Sequence, residues 1–137
     1  SIWPIYGRIK SDYGWRRHPL LGKSEFHRGV DIPSFLGANV KATAKGKIVF
    51  SGWASGYGKT IVIRHRFGFS TIYAHNSRLL IKAGEWVKKG QVISEIGSTG
   101  LSTGPHVHYE IRRWKKPVNP KKYLKLDLFT AKREILR

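Results

Sequence analysis

Residues 102–110 read STGPHVHYE, and the fold is read outward from this stretch. Ser, Thr, Gly and Pro form a turn signal. The run that follows, VHYEI, has strand character, with side chains alternating between two faces. Val107, Tyr109 and Ile111 share the face assigned to the core, and His106, His108 and Glu110 share the other. Along an extended chain the two histidines sit about 6.5–7 Å apart, so both rings can reach one small site. Two surface histidines on a solvated strand face would give the same pattern. An isolated HxH does not decide between these readings.

The chain has 137 residues, enough for one domain with its own core. Apolar residues make up 40% and aromatics 12%, which sets the chain apart from disordered sequences. No apolar run approaches the ~18 residues of a membrane-spanning helix. No signal peptide is recognisable. Methionine is absent, so Ser1 is read as the start of a fragment or processed product, with any targeting segment upstream. Cysteine is also absent, which excludes disulfide scaffolds and thiolate metal sites. A metal site here must use histidine and carboxylate. The candidates are Asp12, Glu25, Asp31, Glu85, Glu95, Glu110, Asp127 and Glu134. The net charge of +18 draws the chain toward polyanions. Nucleic acid, anionic lipid and anionic cell-wall polymer all qualify on charge alone.

Upstream, residues 3–16 read as short extended pieces punctuated by Gly7 and Gly14, and His18 as a lone loop histidine. The stretch EFHRGVDIP, residues 25–33, places His27 and Asp31 four apart. Gly29, Val30 and Pro33 argue against a helix. In a straight strand the two side chains would lie about 13 Å apart, so a shared ion requires a bend between them. Gly29 is the residue expected to supply it through backbone angles that others avoid. A glycine loop whose aspartate caps a turn is the other reading.

Residues 37–52, GANVKATAKGKIVFSG, and 84–97, GEWVKKGQVISEIG, share a weak internal similarity. With TIVIRH at 60–65 and FSTIYAH at 69–75, they give many short strands joined by glycine turns, a mostly β fold. His65 shares parity with Ile61 and Ile63 and is expected to be a hydrogen-bonded core histidine. His75 shares parity with Thr71 and Tyr73, taken as a more polar face, and closes its strand. Asn119–Pro120 is expected to cap one short helix. Residues 125–137 read as a basic tail with a possible last helix.

EFHRGVDI, YAH and STGPHVHYE, in that order, resemble the motifs of the lysostaphin-type (LytM-type) zinc metallopeptidases that cut peptidoglycan peptides. The resemblance runs from about Trp3 to Leu124, with supporting pieces in YGRIKSDYGWRRHP, GYGKTIVIRH, VKKGQVISEIGSTG and VNPKKYL. It implies a compact domain of antiparallel sheets with an open cleft over residues 1–124. It also implies one zinc ion held by His27, Asp31 and His108, and two catalytic histidines that do not bind metal, His75 and His106. The implied substrate is a peptide bond of peptidoglycan stems or cross-bridges, one containing D-alanine or glycine. The implied location is the bacterial cell envelope, periplasmic or secreted, where anionic envelope polymers or a lipid surface would attract the basic chain. Two positions depart from the family pattern: Lys59 stands in place of an asparagine, and Asn76 in place of a leucine. The rival reading is a binding module that anchors to the wall or activates another hydrolase without catalysis. No nucleic-acid motif accompanies the charge, so a nucleic-acid partner is not expected.

Overall fold

The computed structural model describes residues 2–17 and 23–124. His18 and the tail at 125–137, with its expected helix, lie outside the described residues. Within them the strands are β1 (Gly14–Arg17), β2 (Ser24–His27), β3 (Val30–Pro33), β4 (Asn39–Lys41), β5 (Gly46–Ala54), β6 (Gly58–Arg64), β7 (Phe69–Leu79), β8 (Trp86–Val87), β9 (Val92–Ile96), β10 (His106–Arg113) and β11 (Lys116–Val118). One short helix, α1 (Pro120–Leu124), follows. Asn119 caps it through a 3.1 Å bond from the Lys121 amide to its side chain, with Pro120 at the first helical position.

β1 and β2 form a small hairpin sheet. The other nine strands form one sheet in which β11, β10, β7, β6, β5 and β8 lie side by side, joined by antiparallel pairings. β10 and β7 each pair with three strands. The strand that carries His106 and His108 is β10. It pairs with β7 along one edge and with both β3 and β11 along the other. The mostly β, antiparallel expectation is therefore met, with one short C-terminal helix.

The two similar stretches turn out to be partners. β4 of the first pairs with β9 of the second, and β8 of the second with β5 of the first. The Gly37 amide bonds the Ile96 carbonyl at 2.9 Å, and the Gly84 amide bonds the Ile48 carbonyl at 2.8 Å. The two stretches thus pair with each other twice within the one sheet.

The core follows from alternation along these strands. Val30, Ile32, Ile61, Ile63, Val107 and Tyr109 are fully buried. A polar chain runs through it, from the Lys45 carbonyl through His65 and Thr71 to the Tyr73 hydroxyl, then to Thr43 and Tyr109. His65 spends both ring nitrogens in this chain, each at 2.7 Å, and burial lowers its pKa, so it serves the core as a neutral ring. The core-histidine expectation holds.

Two expectations need correction. Thr71 and Tyr73 do not form a polar face; both are buried, and Tyr73 packs 5.3 Å from Tyr109. Strict alternation would carry His75 to that side as well. Instead His75 adopts a φ of 64° beside register shifts in β7, and its ring stands by His106. The second correction concerns Gly29. The chain does bend there, but Gly29 is not among the residues of positive φ. The requirement is space: a Cβ on Gly29 would overlap the Tyr109 carbonyl oxygen and lie 2.9 Å from the Glu110 side chain.

Gly29→Ala is therefore expected to destabilise the fold by about 1–3 kcal/mol or more, because the methyl meets β10 backbone that cannot move aside. Chemical denaturation of the variant against the parent protein measures this. An unchanged midpoint would remove the close approach as the reason for glycine.

Candidate functional site

Five side chains singled out in the sequence converge at one end of the sheet. β2 ends at His27, and after the bend at Gly29 β3 carries Asp31 back beside it, so that His27 Nε2 lies 3.2 Å from Asp31 Oδ2. β3 pairs with β10 so that Asp31 faces His108 directly. The His108 Nδ1 to Asp31 Oδ1 distance is 2.8 Å. His106, two residues earlier on β10, brings its Nε2 to 3.7 Å from the same oxygen. His75 completes the group, its ring 4.8 Å from that of His106. All five line an open cleft of ≈ 960 Å³, bordered by Gly56, Tyr57 and the loop from Leu101 to Pro105.

Each imidazole has one nitrogen tied to the scaffold. Nδ1 of His27 donates to the Asp12 carbonyl at 2.8 Å. Nδ1 of His75 donates to the Thr99 carbonyl at 2.7 Å, and Nδ1 of His106 to the Gly104 carbonyl at 2.8 Å. His108 is reversed: its Nε2 donates to Glu110 at 2.8 Å. These acceptors fix which nitrogen carries the proton and leave the other one facing the cleft.

His27, Asp31 and His108 offer donor atoms that all lie within 4.8 Å of one another, close enough to converge on one ion. Two imidazole nitrogens and one carboxylate oxygen, in a cleft open to solvent, are the donor chemistry of a zinc site that keeps a free position. Glu110, which the alternation pattern placed on this face without a role, is fully buried rather than solvated. It is held by His108, by Arg112 Nη2 at 2.7 Å, and by the Tyr57 hydroxyl. Arg112 was legible in principle, since it shares strand parity with Glu110. Tyr57 was not, because it comes from the β5–β6 turn.

These contacts set the charges. Burial alone would raise the Asp31 carboxyl, but its hydrogen bonds with His108 and His27 hold it well below the usual carboxylate range. Burial likewise opposes an ionised Glu110, and His108, Tyr57 and Arg112 outweigh it. Burial disfavours a charged His108, yet the two flanking carboxylates push its pKa up to about 9. His75 moves the other way: burial lowers it, and the neighbouring His106 adds to that.

Without metal, His108 is thus doubly protonated, one proton toward each carboxylate. Its folded pKa lies above the ordinary histidine value of about 6.5, so this pairing stabilises the metal-free fold below that pH. The contribution is lost as pH rises through about 9. Metal must displace the Nδ1 proton while Nε2–H stays on Glu110. Zinc affinity, measured by chelator competition, is expected to rise about tenfold per pH unit from neutrality and to level off above about pH 9, on account of that one proton. Glu110→Gln removes the charge that orients the ring and should weaken zinc binding about 10–100-fold at constant pH. An unaltered affinity would reduce Glu110 to a packing role.

Comparisons with known proteins agree with this geometry. Residues 25–120 match the model of peptidase family M23. The DD-carboxypeptidase/endopeptidase Mpg of Neisseria meningitidis serogroup B is 47% identical over 116 residues, covering 85% of this chain and 27% of that protein. This chain thus spans about a quarter of the length of that relative. A crystal structure of a zinc containing peptidase from Vibrio cholerae matches with a TM-score of 0.83 at 35% identity, over 92% of this chain and 39% of that one. The catalytic domain of the antimicrobial peptidase lysostaphin from Staphylococcus simulans matches at 0.74 with 36% identity, over 86% and 93% of the two chains. By sequence and by fold, across nearly all of its described residues, the chain belongs to peptidase family M23.

Proposed function

We propose that this domain hydrolyses peptide bonds in peptidoglycan stem peptides or cross-bridges in the bacterial cell envelope, with zinc held by His27, Asp31 and His108. The observation that carries the reading is the meeting of three metal donors within 4.8 Å with two further imidazoles beside them, in an open cleft of ≈ 960 Å³. The peptidase unit is taken as residues 1–124, with 125–137 as a basic tail. The name of the Neisseria relative, a DD-carboxypeptidase/endopeptidase, favours a bond containing D-alanine over one containing glycine.

Zinc, when bound, supplies Lewis acidity toward a carbonyl oxygen and toward water. The chain's own residues do the rest. Asp31 and Glu110, held ionised, place a compensating negative charge on either side of His108. His75 is kept neutral by burial, and its Nδ1 proton is committed to the Thr99 carbonyl. Its Nε2 therefore accepts a hydrogen bond, which suits orientation of the attacking water. His106 has its Nδ1 bound to the Gly104 carbonyl and its Nε2 beside Asp31. That nitrogen takes the water's proton and passes it to the leaving amine.

The test is incubation with purified peptidoglycan, with and without a zinc chelator, while new amino groups are followed. Chelator-sensitive release of amines is expected. Release of reducing ends would mean a glycosidase, and no release from several wall chemistries would favour the binding-module reading. His75→Ala and His106→Ala should each keep zinc and lose about 10²–10⁴-fold in rate, the usual contribution of an acid–base group. His108→Ala should lose the metal itself. Zinc loss in either of the first two variants would make that histidine a ligand.

A further inference from the structure

Two hairpin tips stand side by side at the end of the sheet remote from the cleft. One is the β6–β7 turn, centred on Phe67 and Gly68. The other is the β10–β11 turn, centred on Trp114 and Lys115. The Trp114 amide donates to the Gly68 carbonyl at 2.9 Å, and its ring lies against the Gly68 backbone. On the paired strands beneath, Arg113 faces Phe69, whereas His108 faces Ala74. At about 3.4 Å per residue this separates the tips from the metal donors by about 17 Å along the sheet.

The residues at these tips are unusual for their backbone. All four central positions have positive φ: 58° at Phe67, 78° at Gly68, 50° at Trp114 and 69° at Lys115. Such turns normally take Asn, Asp or Gly, and bulky side chains are strained there. Phe67 is exposed, and Trp114 is 70% exposed. Neither backbone preference nor core packing explains two aromatic rings at the apices. Cations surround them. Arg64, Arg66, Arg113, Lys115 and Lys116 are all exposed, and the Arg66 guanidinium sits 5.2 Å from the Phe67 ring centre. Neither tip, from Arg64 to Gly68 or from Arg112 to Lys116, contains an acidic residue.

We infer that the paired tips are a docking surface for an anionic phospholipid membrane. Indole and phenyl rings at convex turn apices can enter the headgroup layer of a plane, where aromatic side chains favour the interface. Arg and Lys beside them meet the headgroup charge while their stems lie along apolar surface. A polymer strand would call for a groove along which to lie, and the convex apices of two turns present none. Docked in this way, the domain holds its cleft at the end of the sheet that faces away from the membrane. The inference concerns a surface apart from the metal centre and stands whether or not the hydrolytic reading holds.

The experiment is co-sedimentation with vesicles of phosphatidylcholine, with and without phosphatidylglycerol, using the full chain. Binding is expected to the anionic vesicles only. Phe67→Ser with Trp114→Ser should weaken it without changing zinc affinity, which also checks that the fold is kept. Arg66→Ala with Lys116→Ala leaves the aromatics in place and should weaken partitioning about fivefold for each charge removed. Three results would overturn the inference. The parent protein could fail to bind anionic vesicles. Both double variants could partition like the parent. Soluble polyphosphate could bind the parent and lose as much affinity to the tip substitutions as the vesicles do, which would make the tips a polymer site.

Discussion

The register of β3 against β10 is the constraint on which the cleft depends. Asp31 and His108 are directly opposed in that pairing, and a slip of one residue would send one of them into the core. The register is held from the apolar side by Val30, Ile32, Val107 and Tyr109, all fully buried. It is also held by Gly29, whose lack of a side chain lets the bend sit directly on the β10 backbone. Packing and metal geometry are thus two faces of the same pair of strands.

Charge is organised around the same pair. Asp31, His108, Glu110 and Arg112 form an alternating series, negative and positive by turns, running from the cleft through the fully buried Glu110 to the partly exposed Arg112. A buried carboxylate such as Glu110 is costly to desolvate unless its oxygens are well matched by donors. Here three side chains meet it, His108, Arg112 and Tyr57, and the result is an imidazole with little freedom to turn. The other cleft histidines achieve the same end more simply, each through one main-chain carbonyl.

Much of this was legible in the sequence, for identifiable reasons. Alternation along residues 106–111 separated Val107, Tyr109 and Ile111 from His106 and His108 correctly, because β10 is regular there. The Asn119–Pro120 signal is local and held. The five residues that gather at the cleft were singled out through the resemblance, whereas spacing alone left the His106–His108 and His27–Asp31 pairs undecided. What failed depended on neighbours distant in the chain. The side that His75 faces is set by a left-handed residue and a register shift, which parity cannot see. Gly29 is glycine because of the Tyr109 backbone, some eighty positions away. The Tyr57 contact with Glu110 arises only when the β5–β6 turn folds against β10.

The span between the metal donors has a consequence for how the protein comes to maturity. Asp31 and His108 lie 77 residues apart, and the intervening chain contributes β4 through β9. Closing so long a loop carries an entropic cost that rises slowly with its length, and folds rich in such remote pairings form slowly. A nascent or partly folded chain that has not yet docked β10 holds only part of the donor set. Ion capture is therefore tied to the completion of folding: a chain emerging in stages remains without its metal centre until nearly all of the domain is in place.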